Sequence, residues 1–255
     1  MKYLIVALLL LGAIAYGQFT VSVGPGKTQK SAIRKPNYHN HPDAPLLFED
    51  FENPTGYDLP GWSEVVAGIG VINEDYTSTV LYGTQSLFID EDADDPVYTT
   101  NSFSANGHVW MSFLLRITAV TTPPTQDQPI IKLTDSSNNS QVMLTYNGDG
   151  ELKIKIGTSF TPSFQPGFGP SLNKTYYVWI EYWKDNGTTG YVSLGYSLGP
   201  IKPRNSENFV EGTFTSTATD VSRVQIGRNN AEVSLDVDFI MDHLIIDNKV
   251  ITDYP

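Results

Sequence analysis

The sequence predicts an all-β protein, two antiparallel sheets packed as a jelly-roll sandwich. Three observations predict it. Apolar and polar residues alternate with a period of two in segment after segment. In VWMSFLLRI (109–117), Val109, Met111, Phe113, Leu115 and Ile117 share one side. Turn-forming clusters separate these segments. The clearest is Asn147-Gly148-Asp149-Gly150, between QVMLTY (141–146) and ELKIKIG (151–157), since Asn and Gly tolerate the positive φ angles of tight hairpins. No stretch of any length carries the 3.6-residue period of an amphipathic helix.

Taken in order, residues 1–17 read as a signal peptide: one Lys, an apolar run, then small residues that fit a cleavage site. The run is short for a membrane span, so the expectation is a secreted protein, extracellular or at the cell surface, with no membrane contact after cleavage. Residues 18–45 form a strand, FTVSV, followed by a Pro/Gly-rich arm with Lys27, Lys30, Arg34 and Lys35 against Asp43. Such a strand could add to a neighbouring subunit's sheet. Residues 46–255 form the jelly-roll domain. Its later strands are TYYVWIEYW (175–183) and GYVSLGYS (190–197) around Asp185-Asn186-Gly187, then RVQIG (223–227) and DVDFIMDHLIID (236–247).

The composition is that of a globular chain, with 40% hydrophobic and 17% charged residues. With no Cys, no disulfide can form, and the core alone must hold the fold. A net charge of −12 argues against nucleic acid as a partner, because phosphate neutralisation needs clustered cations.

FEDFENPTGYDLPGW (48–62), YGTQSLFI (82–89) and VDFIMDHLII (237–246), in that order, resemble the concanavalin A-like jelly rolls. This lectin/glucanase superfamily includes laminin G-like and choice-of-anchor or cleaved-adhesin domains. The resemblance implies one convex and one concave sheet. It also implies a structural Ca²⁺ held by Glu52 of the first strand and Asp242 of the last, with Glu49 and Asp50 as rivals for the first ligand. Hard oxygen donors suit Ca²⁺, and backbone carbonyls would have to complete the shell.

The marks of the superfamily's enzymes are absent. No strand carries the Glu-x-Asp-x-Glu pattern that sets a nucleophile and an acid on one face. The Gln-x-His and Tyr-Phe-Lys-x-Gly strands of the alginate-lyase relatives are missing too. DEDADD (90–95) has turn composition and reads as a solvated or Ca²⁺-binding loop. His39 and His41 lie in the arm, and His243 reads as a packed or edge residue. GPGKTQK (24–30) lacks phosphate-loop spacing. Asn138, Asn173 and Asn186 begin glycosylation sequons at expected turns.

The aromatic stretch YYVWIEYW (176–183) divides by its period of two. Tyr176, Val178, Ile180 and Tyr182 point into the core. Tyr177, Trp179, Glu181 and Trp183 share the other face, the composition of a carbohydrate-binding row. Trp110 and Arg116 would join that row if their strand lies alongside, and Phe160, Phe164 and Phe168 would overhang it. These features favour a secreted, non-catalytic, adhesin-like domain that binds a polysaccharide or glycoconjugate. One alternative is a structural subunit of a filament or surface layer, self-associating through the N-terminal strand. The other is a polysaccharide lyase or glycoside hydrolase, in which Arg116, Lys153, Lys155 and a tyrosine would converge on the concave face.

Overall fold

The computed structural model describes residues 45–52, 59–91, 96–120, 127–157, 163–164, 169–185, 188–202, 208–215, 218–229, 237–249 and 251. The expected signal peptide, the expected N-terminal strand and arm with His39 and His41, and also Phe160, Phe168 and Asn186, lie outside the described residues.

Fifteen strands and no helix make up these residues: β1 (Leu47–Glu49), β2 (Ser63–Val66), β3 (Val71–Tyr76), β4 (Ser86–Asp90), β5 (Val97–Asn106), β6 (His108–Val120), β7 (Gln128–Thr134) and β8 (Ser140–Tyr146). They continue with β9 (Leu152–Ile156), β10 (Ser163–Phe164), β11 (Tyr176–Lys184), β12 (Thr189–Ser197), β13 (Phe209–Thr215), β14 (Val221–Arg228) and β15 (Val237–Asp247). One sheet, here sheet A, runs β13-β12-β11-β6-β15-β4-β3, with β1 alongside β15. The other, sheet B, runs β10-β9-β8-β7-β14-β5-β2. Every pairing is antiparallel, so the expected two-sheet sandwich is what the chain forms.

The period of two assigns the faces correctly. Val109, Met111, Phe113, Leu115 and Ile117 of β6 pack between the sheets with Tyr176, Val178, Ile180 and Tyr182 of β11. Leu152, Ile154 and Ile156 of β9 and Val224 and Ile226 of β14 meet them from sheet B. Burying such side chains contributes roughly 1.5–3 kcal/mol each, which offsets the missing disulfides. Trp62 packs against Phe51 at 6.1 Å between ring centroids, and its indole N–H donates to Glu49 at 2.9 Å.

β15 holds an irregularity that matters for its side chains. Its register against β6 shifts between Asp242 and Ile245, and His243 sits there at φ 50°. The bulge turns both Asp242 and His243 away from the main core, and both are 0% exposed. His243 lies between Tyr82 at 4.7 Å and Phe48 at 5.3 Å, and burial pushes its imidazole down to about 4. It is a packed residue, neutral at ordinary pH.

Gly227 on β14 is the glycine whose replacement should be felt most. Its φ is +88°, and a Cβ there would stand 2.3 Å from the Val97 carbonyl oxygen, a backbone atom that cannot swing aside. Gly227→Ala is expected to cost about 1–3 kcal/mol from the strained φ alone. A urea melt with an unchanged midpoint would refute that.

Candidate functional site

The outer face of sheet A carries the aromatic row, but not as an open platform. Tyr177, Trp179, Glu181 and Trp183 do share that face, and Trp110 stands opposite Glu181 on β6. Trp179, however, is 1% exposed. With Leu114 it forms a small apolar cluster under Leu81, Tyr82, Tyr177 and Ile251. A ring so covered cannot stack on a sugar, which corrects its expected role. Trp183 stays 42% exposed. At that end, the His108 ring lies 3.8 Å from Trp110 and 5.6 Å from Trp183, and its Nε2 is 2.9 Å from Glu181. Arg116 is not part of the group: it lies six residues along β6 from Trp110, about 20 Å away. It also faces away from Lys153 and Lys155, which lie on the other sheet, so the convergence imagined for a lyase does not occur with Arg116.

Glu52 and Asp242 reach the same segment, 82–86. The Glu52 carboxylate accepts from the backbone N–H groups of Thr84 and Gln85 and from the Thr84 hydroxyl. Asp242 accepts from Tyr82 N–H at 2.8 Å, Ser86 Oγ–H at 2.7 Å and His243 N–H at 2.7 Å. Burial pushes the Asp242 carboxyl up to about 8 despite these bonds. Glu49, the rival ligand, is committed to Trp62 and Phe51 N–H. Among the described residues no three acidic or histidine side chains gather as a metal cluster. Glu91, expected in a solvated loop, is 0% exposed.

The outer face of sheet B is of opposite character. One row of register crosses all seven strands: Ser63, Thr100, Gln225, Lys132, Met143, Lys155 and Ser163. Arg223 lies two residues from Gln225 on β14, and Lys153 two residues from Lys155 on β9, so both point the same way. Among the described residues the strands of this sheet put four cations on the face and no carboxylate. Asp127, just before β7, sits among them, bridged by Lys155 at 2.7 Å and Lys153 at 3.2 Å. Burial raises the Asp127 carboxyl, but the bonds from the two lysines outweigh it and hold it below the usual range. In a chain of net charge −12, this is a strong local inversion of sign.

A cleft of about 340 Å³ opens on this face. Ser63, Val65, Tyr98, Thr100, Thr134, Asn138, Arg223, Gln225 and Asn229 line it. The Asn138 side-chain oxygen accepts a hydrogen bond from the Arg223 guanidinium, which orients both. Asn138 and Asn173 are exposed turn residues at φ 65° and 60°. Asn138 is thus a cleft residue as well as the head of a sequon. A guanidinium, three side-chain amides and a phenol around one cleft can neutralise a carboxylate, fix hydroxyls and transfer a proton.

No family model and no curated protein matches this chain. Solved structures do. The endo-β-1,4-glucuronan lyase of the fungus Trichoderma reesei superposes with a TM-score of 0.57 at 12% identity, over 80% of this chain and 96% of that one. The cellulose-induced protein Cip1 gives 0.58 at 11% identity, over 82% and 100%. The chain shares its sandwich with a polysaccharide lyase. At these identities the likeness concerns the fold, a jelly-roll-like β-sandwich. It corrects the expectation of a non-catalytic, adhesin-like domain, whose aromatic row is in any case closed over Trp179.

Sequence reasoning passed over most of the cleft. Lys153 and Lys155 appear in it as cations of the lyase alternative, grouped with Arg116 on the other sheet; Arg223 and Gln225 appear only within the strand RVQIG, and Tyr98 and Lys132 not at all. One signal was present: Lys132 interrupts the apolar run PIIKL of β7. A lone cation inside a strand is the pattern that would have found it.

Proposed function

We propose that this protein is a polysaccharide lyase that cleaves an anionic, uronate-containing polymer by β-elimination on the outer face of sheet B. The observation that carries the reading is the cationic face with its cleft, set in an acidic protein. A polyanion is drawn to Lys132, Lys153, Lys155 and Arg223 and repelled elsewhere. Elimination needs the uronate carboxylate neutralised, so that the C5 proton becomes acidic, and a donor for the departing oxygen. Arg223, held by Asn138, supplies the first with help from Gln225. The Tyr98 phenol supplies the second. The leader-like residues 1–17 support action outside the cell.

The test is incubation with soluble polyglucuronate, alginate and polygalacturonate while following the ultraviolet absorbance of unsaturated uronates. The neighbour's substrate makes polyglucuronate the first polymer to try. Growth of absorbance with any of them supports the reading; none with all three overturns it.

Calcium belongs to the same reading as a structural ion beside Glu52 and Asp242. What supports it is a fully buried Asp242 carboxyl whose bonds come from two backbone N–H groups and a hydroxyl, so that a cation beside it would hold it ionised. Calcium is expected to raise the melting temperature and a chelator to lower it, and Asp242→Asn is expected to abolish both effects. A melting curve indifferent to calcium would remove the ion from the account.

A further inference from the structure

Within the lyase reading, on which this inference rests, we infer that Lys132 is the base that takes the C5 proton. Lys132 is 7% exposed, on the central strand β7 of the cationic face. Its Cα partners are Gln225 on β14, which lines the cleft, and Met143 on β8. Neither carries charge. Its ammonium makes no hydrogen bond or ion pair among the described residues, whereas Lys153 and Lys155 share Asp127 and Lys184 pairs with Asp220. A lysine so buried and so unpartnered lowers stability unless it is used.

Its position fits the task. Arg223 and the cleft lie on one side of Lys132. Lys153 and Lys155 lie two strands away on the other, about 10 Å across the sheet. A polyuronate laid across the strands is therefore held by cations on both sides of Lys132, and the bond to be broken lies over β7. In the step, the C5–H bond breaks and its proton passes to the neutral Lys132 amine. The electron pair forms the C4–C5 double bond, the C4–O bond breaks, and the leaving oxygen takes the Tyr98 proton. Water then restores both groups.

Burial alone pulls the Lys132 amine down from 10.5 to about 8, so a useful fraction is neutral near neutral pH. The other ionisable groups on this face are Arg223 on β14, Tyr98 on β5, Lys153 and Lys155 on β9, and Asp127 before β7. Asp127, the carboxylate among them, is already shared by Lys153 and Lys155.

The experiment compares the wild-type protein with Lys132→Met and Lys132→Arg on the polyuronate that wild type cleaves. The wild-type kcat/KM is expected to rise with pH through about 8 as the amine loses its proton. Both variants are expected to lose 100-fold or more and to remain bound in a polyuronate-containing native gel. Lys132→Met is also expected to melt at a higher temperature than wild type at pH 7, because it removes a buried charge. A wild type inert on every polyuronate overturns the lyase reading itself. A wild type that cleaves, beside a Lys132→Met protein that cleaves equally well with the same pH profile, overturns the role of Lys132 and leaves the lyase reading standing.

Discussion

Replacing Trp179 with alanine is expected to lower the stability of the sandwich by about 3–5 kcal/mol, a fall in melting temperature on the order of 10 °C. The cause is a cavity. The indole is 1% exposed, and Leu114, Leu81, Tyr82, Tyr177 and Ile251 are packed around it. These come from separate stretches of the chain and cannot collapse together to fill the space. Trp183, four residues on and on the same face, is 42% exposed. Its alanine variant should stay within about 0.5 kcal/mol of wild type. Neither change touches the cationic face, so on the proposed lyase reading both proteins should cleave polyuronate at the wild-type rate while folded. Calorimetry on the two variants decides the matter: equal melting temperatures would mean that Trp179 is not covered as described.

On the proposed lyase reading, replacing Arg223 with alanine should cost 10²- to 10³-fold in kcat/KM, roughly 2.7–4 kcal/mol of transition-state stabilisation. The charge that develops on the uronate carboxylate during proton removal is where a guanidinium contributes most. Arg223→Lys should recover only part of the loss. It keeps the charge but not the planar fork that grips a carboxylate with two bonds while Asn138 fixes its orientation. The side chain is half-buried at the rim of the cleft, so the fold should survive. A steady-state comparison on one polyuronate settles it, and an alanine variant with an unchanged kcat/KM would take Arg223 out of the mechanism.

The sequence disclosed local structure well. Alternation in 109–117 and 175–183 placed each side chain of β6 and β11 on its proper face, because a pleated strand leaves no other option. Asn147-Gly148-Asp149-Gly150 located the β8–β9 hairpin, because few residues accept its φ angles. What stayed hidden was which strands become neighbours. Lys132, Arg223 and Lys155 are scattered over the chain, and only sheet B's order brings them onto one face. The same reason hid the cover over Trp179: Leu81 and Ile251 come from distant parts of the sequence. Burial of His243 was readable as one of two options, whereas the bulge that turns it was not, since nothing in VDFIMDHLIID marks an extra residue.

The place of β15 has a consequence for how the molecule is made. Among the described strands it comes last in sequence, yet it lies inside sheet A, with β6 along one edge and β4 and β1 along the other. A nascent chain that has not yet emerged past residue 237 therefore has a gap in the middle of that sheet and two raw edges beside it. Sheet A cannot knit together on the ribosome ahead of its final strand. Until then, β6 on one side and β4 and β1 on the other carry unpaired N–H and C=O groups that any other extended segment can capture.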